Sequence, residues 1–338
     1  MVRLFKAELK RMWHRDAIRW LSLALVAALV VLTVVLMWSA RPLSGDRLIQ
    51  AEQNYEMAAE DWELNGPSYL EQCREAEALM QKTNPEYTNN CDLMEGPTRE
   101  QFLQSSPSVD VMMASPTQGG TLTMMGPLIS GTIIILIAAM AIGGEFGSGF
   151  LTTWLTFEPR RTLVYVSKIL AVGAVGAVIA FVTSLFMTLA PILAVTANGQ
   201  GLATSSTNFW GSAWLPAFLL SIVLGFITGV ASAGLAFVLR NTALMIGILV
   251  GYIVLIEAIL SQAITAIANL LLTKNAMAIL SGWTQYPVEQ CGTNDAGEWA
   301  CQTVYNTMGR GQGLLYTLIV TALCVVAGWA LFQRREIK

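Results

Sequence analysis

The stretch that decides how this chain is read runs from residue 144 to residue 161: Gly144-Glu145-Phe146-Gly147-Ser148-Gly149-Phe150-Leu151-Thr152-Thr153-Trp154-Leu155-Thr156-Phe157-Glu158-Pro159-Arg160-Arg161, with Lys168 shortly beyond. Long apolar runs lie on both sides of it. It is too polar and too rich in glycine to sit in lipid, so it is a loop between two membrane spans. Phe150, Leu151, Trp154 and Leu155 recur at helical spacing and form one apolar stripe. Ser148 is the expected N-cap of that helix. Pro159 ends it, because the residue before a proline is pushed out of the helical region. A short helix with an exposed apolar stripe, held at a membrane surface, is shaped to dock onto a partner. The alternative is an interfacial helix that lies on lipid.

Outward from this loop, composition sets the class. The chain of 338 residues is 54% hydrophobic and 13% charged, against about a quarter charged in soluble domains. Several runs of about 20 apolar residues mark an integral membrane protein. The expected fold is all-α, with six transmembrane helices, both termini cytoplasmic, and a disulfide-stapled helical extracellular cap. Residues 1–17 read as an amphipathic interfacial helix with Phe5, Leu9, Met12 and Trp13 on its apolar face. Its basic residues suit anionic lipid. The spans fall at 18–39, 122–143, 163–196, 213–238, within 242–272, and at 313–332. The first span is read as retained rather than cleaved as a signal.

Segment 40–121 is the outer cap, 144–162 the inner loop, 197–212 and 273–312 further outer loops, and 333–338 an inner tail. On this arrangement 13 of the 20 basic residues face inward with five acids, while 17 acids and seven bases face outward. The positive-inside bias fixes that orientation. In the cap, Leu48, Tyr55 and Trp62 repeat every seven residues along a helical seam. Asn65-Gly66-Pro67 is expected to break that helix, and Ser68-Tyr69-Leu70-Glu71 to cap the next one. The Arg240-Asn241 turn is so short that the spans around it must form a tight hairpin. Gly225, Gly229, Ser232 and Gly234 would let the fourth span approach its neighbours closely.

Cys73 and Cys91 share the first outer loop, and Cys291 and Cys301 the last. Two outer pairs fit an oxidising exterior. Pairing within each loop is the arrangement adopted, with buried free thiols as the alternative. Glu257 is the one carboxylate inside an expected span. A charge there is expensive, so it faces protein or water or is protonated. Ser261, one turn on, is placed to share a hydrogen bond with it. The pair is a candidate for a substrate or proton path, or else an interhelix hydrogen bond.

No chemistry motif is present: there is no G-x-x-x-x-G-K-[ST], no HExxH and no G-x-S-x-G. A zinc site is not expected, because the lone histidine, His14, lies on the opposite side from the cysteines.

The loop residues Glu145, Gly149, Pro159, Arg161 and Lys168 resemble, in order and spacing, the membrane subunit of an ABC exporter of the type-2 permease family. That family carries a Glu at the inner end of the second span, a Gly four residues on, a short helix, then Pro with nearby Arg, and a Lys opening the third span. Phe150 departs from the pattern, in which a Thr commonly follows the glycine. The ending Phe332-Gln333-Arg334-Arg335-Glu336-Ile337 is similar to the family's aromatic-then-basic close.

The resemblance implies that the 148–158 helix, with Leu151, Trp154 and Leu155, is a coupling helix seated in a cleft of a separate P-loop ATPase subunit. ATP and Mg would belong to that partner, and this chain would be a transport subunit with no cofactor and no enzyme activity of its own. A second copy or a paralogous permease would complete the pathway in a bacterial cytoplasmic membrane, for a drug, antibiotic, peptide or lipid, with no nucleic acid involved. For 242–272 the family suggests a span to about 262 and then a re-entrant helix; one tilted helix is the alternative. Two other classes remain in view. One is a non-transporting sensor or scaffold with a ligand-binding cap. The other is a secondary transporter, which would show more intramembrane charge and two related halves.

Overall fold

A computed structural model describes residues 2–39, 41, 45–83, 91, 95–99, 102, 121–157, 159–198, 214–261, 264–293 and 299–334. Helix α1 (Val2–Trp13) precedes the first long apolar helix α2 (Asp16–Ser39), and α3 (Asp46–Thr83) stands in the cap segment. Next come α4 (Thr121–Ala138), a π-turn (Ala139–Gly143), α5 (Gly144–Gly147), the short α6 (Phe150–Phe157) and the long α7 (Arg161–Ala197). Helix α8 (Trp214–Leu239) is followed by α9 (Thr242–Gly251), which widens into a π-helix at Tyr252–Leu260. A 3₁₀ segment (Thr265–Leu270), α10 (Leu272–Ser281), strands β1 (Trp283–Thr293) and β2 (Trp299–Gly309), and α11 (Arg310–Arg334) complete the chain. Among the described residues, six helical stretches are long and apolar enough to cross a membrane, which makes this a multi-pass membrane protein.

Helices α4, α7 and α8 form the centre, and α2, the α9 stretch and α11 flank it with most of their surface uncovered. Exposed Leu, Ile and Val along the flanking helices are what a lipid solvent requires, since apolar surface there costs nothing. The central helices meet through small residues, as the glycine spacing foretold. A Cβ on Gly225 would lie 2.4 Å from the Cβ of Ala180 and 2.7 Å from the carbonyl oxygen of Gly176. Gly234 and Gly328 bring α8 equally close to α11. The tight turn after α8 also holds: Arg240 takes φ +54°, and the Asn241 side chain accepts from the Leu244 N–H at 3.1 Å, capping α9.

Several expectations need correction. The fold is mostly helical but not all-α. Strands β1 and β2 pair antiparallel from Trp283 opposite Gly309 to Thr293 opposite Trp299. Val288 and Tyr286 in one strand, and Val304 and Tyr305 in the other, supply β-favouring side chains. Pro67 does not end the cap helix, because α3 runs through it. Asp61 bridges the proline turn, accepting from Asn65 at 2.7 Å and from the Tyr69 hydroxyl at 3.1 Å. Ser68 is therefore inside a helix and caps nothing.

For 242–272, the alternative of one tilted helix does not hold. The backbone is extended at Ile264 and Leu271, and α10 then runs into the segment assigned from the sequence to the outer loop 273–312. Cys73 and Cys91 are joined as expected. Cys291 is also disulfide-bonded, and Cys301 is its direct opposite in the strand register.

Candidate functional site at the basic end of the bundle

The centre of the site is a carboxylate surrounded by cations. Glu145, on α5, retains 2% of its exposure, and Lys168, two turns into α7, retains 3%. The Lys168 ammonium donates to Glu145 Oε2 at 2.5 Å. Arg15 donates to Glu145 Oε1 at 2.6 Å, and Arg11 donates to the same oxygen. Glu8, on α1 and equally buried, accepts from Lys168 at 3.2 Å and from Arg11 at 2.5 Å. Three cations thus face two carboxylates.

The desolvation of such a group is repaid only while every member stays paired. The network therefore clamps α1 to the second and third apolar helices. Arg15 extends the clamp by donating to the carbonyls of Met140 and Ala141 at 3.0 and 2.9 Å. Those carbonyls belong to the π-turn, where the regular helical ladder is interrupted. Thr242 donates to a third carbonyl there, that of Ala139, at 3.2 Å.

The N-terminal helix consequently faces protein over one side. Met12 and Glu8 are buried, and Phe5 and Leu9 pack against the core, while Trp13 is 71% exposed. Trp13 is not on the inward face, contrary to the sequence reading. Glu8, Arg11 and Arg15 were the site residues that reading passed over. Glu8 and Arg11, three apart, share one face of α1 and Arg15 follows just past its end; a single acid amid five basic neighbours was the available signal.

The inner loop also differs in direction. Its helix starts at Phe150, not at 148. Ser148 caps the end of α5 instead, and its hydroxyl lies 3.5 Å from the carbonyl oxygen of Glu145. Gly149 takes φ +67°, a conformation that β-carbon-bearing residues reach only with strain, and so lets α6 turn sharply away from α5. The apolar stripe turns inward: Leu151 is fully buried, and Trp154 and Leu155 pack against the central core. The guanidinium of Arg11 sits 4.7 Å from the centre of the Phe150 ring and 5.4 Å from that of Trp154, tying the loop helix to the charge network. What α6 offers outward is Thr153, Thr156, part of Phe150, and Phe157, which is 82% exposed. Pro159 and Arg160 continue that surface.

Arg161 takes no part in the clamp. It donates to the carbonyls of Phe332 and Gln333 at 3.3 and 3.2 Å, while Arg240 donates to that of Leu331 at 3.3 Å. Two cations on carbonyls at a helix C-terminus complement its dipole. Glu257 and Ser261 lie elsewhere, near the opposite end of the bundle. The Glu257 carboxylate accepts from the Tyr252 hydroxyl at 2.7 Å, from the Thr273 N–H at 3.3 Å and from the Thr273 hydroxyl. Ser261 does not reach that carboxylate; it donates to the main-chain oxygen of Glu257 at 2.5 Å.

No protein-family model and no curated protein matches this sequence.

Proposed function

We propose that this chain is the permease subunit of an ATP-driven ABC exporter that moves a hydrophobic or amphipathic substrate outward across a cytoplasmic membrane. A separate P-loop ATPase holds ATP and Mg, and a second copy or a paralogous permease completes the path. The observation that carries this reading is the short helix α6. It joins two apolar helices, is anchored by a buried stripe and a five-residue ionic clamp, and still exposes a large aromatic residue, Phe157. A helix that merely lay on lipid would need its apolar stripe outward and would gain nothing from such bracing. A rigidly held helix passes a push from a partner to α4 and α7 without absorbing it.

The contact face is Phe150, Thr153 and Phe157, in place of Trp154 and Leu155, which work as the anchor. The test is affinity purification from the native membrane in mild detergent, with mass spectrometry of associated proteins. A stoichiometric soluble P-loop ATPase is expected, and it is lost with Phe157→Asp while the permease stays monodisperse. A monodisperse wild-type chain with no ATPase would overturn the reading and favour a sensor or scaffold.

A further inference from the structure

The half-buried carboxylate of Glu257 has a different character from the buried pair Glu145 and Glu8. Glu257 has hydroxyl and amide donors but, among the described residues, no ion-pair partner. Lys274, next to Thr273 in sequence, lies 3.5 Å from the carbonyl oxygen of Gln285 instead. The carboxylate stands about 24 Å along its helix from the turn at Asn241, within the outer part of a hydrocarbon core of about 30 Å. A carboxylate has about four acceptor positions, and three are taken here.

The surroundings divide into two kinds. Tyr252 donates its hydroxyl to the carboxylate and accepts from the Leu272 N–H at 2.9 Å, and Tyr316 donates to the Leu270 carbonyl at 2.7 Å. Around them Ile253, Val254, Ile259 and Leu270 are exposed. The Tyr252–Leu260 π-helix, an irregularity common at functional positions, carries the carboxylate into this setting.

A carboxylate that is hydrogen-bonded but not charge-compensated, beside aromatic rings and an exposed apolar surface, suits one ligand chemistry. The geometry points to Glu257 as the headgroup site for an alkylammonium amphiphile that enters sideways from the leaflet at the cap end. The ammonium takes the free acceptor position and lies against the tyrosine rings. The alkyl part lies along the exposed face of the α9 stretch. Charge complementarity selects this occupant over a neutral lipid tail, which would leave the carboxylate without a counter-charge in a low-dielectric setting. The same chemistry is offered by an aminolipid headgroup and by a foreign cationic amphiphile. Only the further step, that the amphiphile is cargo, rests on the exporter reading. The binding site itself does not.

The experiment uses the full chain, without any ATPase, in nanodiscs of phosphatidylglycerol. A fluorescent dodecylammonium probe is compared with the dodecyl amide of the same fluorophore. Wild-type protein is expected to bind the ammonium probe at least tenfold more tightly than the amide. Glu257→Gln is expected to abolish that preference while leaving amide binding within twofold. Equal Kd values for the two probes on the wild-type protein would overturn the proposal without any variant having to fold. Parallel tenfold losses of both probes in Glu257→Gln would also overturn it, assigning the carboxylate to packing alone.

Adding phosphatidylethanolamine to the nanodiscs then separates the sources. Competition with the probe makes the aminolipid an occupant, and lack of competition reserves the site for foreign amphiphiles. A preference for ammonium in a chain that purifies with no ATPase would retain the site and refute transport. An ATPase partner with no such preference would do the reverse.

Discussion

Removing the charge of Glu145 should loosen the whole basic end of the bundle. Glu145→Gln keeps the side chain's size and one acceptor oxygen but leaves Lys168, Arg11 and Arg15 facing Glu8 alone. Breaking a buried ion pair by removing one partner costs about 3–5 kcal/mol, because the remaining charge is left uncompensated. Arg11 and Arg15 keep 22% and 27% of their side-chain exposure, so water relieves part of their loss. Lys168, at 3%, has no such relief beyond Glu8. The lower end, about 3 kcal/mol, is the expected cost. At about 2 °C per kcal/mol for a chain this long, that is a fall of about 6 °C in Tm.

Thermal unfolding of the purified protein in one detergent, followed by loss of the monodisperse chromatographic peak, measures it. Lys168→Met alone should cost a similar amount. The double variant should lose much less than the two single losses combined, because the remaining Arg11, Arg15 and Glu8 keep the original balance of charge. Losses that simply add, or a Glu145→Gln variant as stable as the exposed control Glu60→Gln, would refute the clamp.

Other consequences are separable. Leu151→Ala should destabilise by about 2–5 kcal/mol, since it empties a fully buried position, while Phe157→Ala should stay within about 0.5 kcal/mol in the isolated chain; the same thermal assay ranks them. Gly225→Leu should prevent α7 and α8 from closing, because even a Cβ there meets Ala180 at 2.4 Å, and the readout is loss of monodisperse protein. Cys73→Ser should leave the Tm of the membrane helices within about 2 °C, yet speed proteolysis of the cap. The lost cross-link spans 18 residues, which in the chain-entropy model contributes about 3 kcal/mol.

How far the sequence could be read depended on the range of each interaction. Span positions followed from runs of apolar residues, and the glycines of α8 from their spacing, because both signals are local. Glu145 and Lys168 stood out because they sit at the ends of apolar runs, where charge is conspicuous. Glu8 gave only a weak signal, since its pairing with Lys168 joins residues 160 apart in the chain. Helical periodicity located the Phe150–Leu155 stripe but not its direction. A buried core and a partner's cleft ask for the same apolar residues, and only the neighbours supplied by α1 and α7 decide between them. Pro67 misled for a similar reason. A proline removes one hydrogen bond and clashes with the preceding turn, yet side-chain bonds from Asp61 to Asn65 and Tyr69 span that turn. The β-hairpin left only a weak local signal, the β-favouring Tyr286, Val288, Val304 and Tyr305, because its strands lack a clean apolar–polar alternation.

The central claim is that the outward face of α6 rests on an ATPase. Its most direct test is a photo-reactive benzoylphenylalanine placed at Phe157, irradiated in the native membrane, with the adduct identified by mass spectrometry. The account predicts a single major adduct with a soluble P-loop ATPase, absent when the probe is moved to the buried position Leu151. An adduct with lipid alone, or with no ATPase among the products, would contradict it.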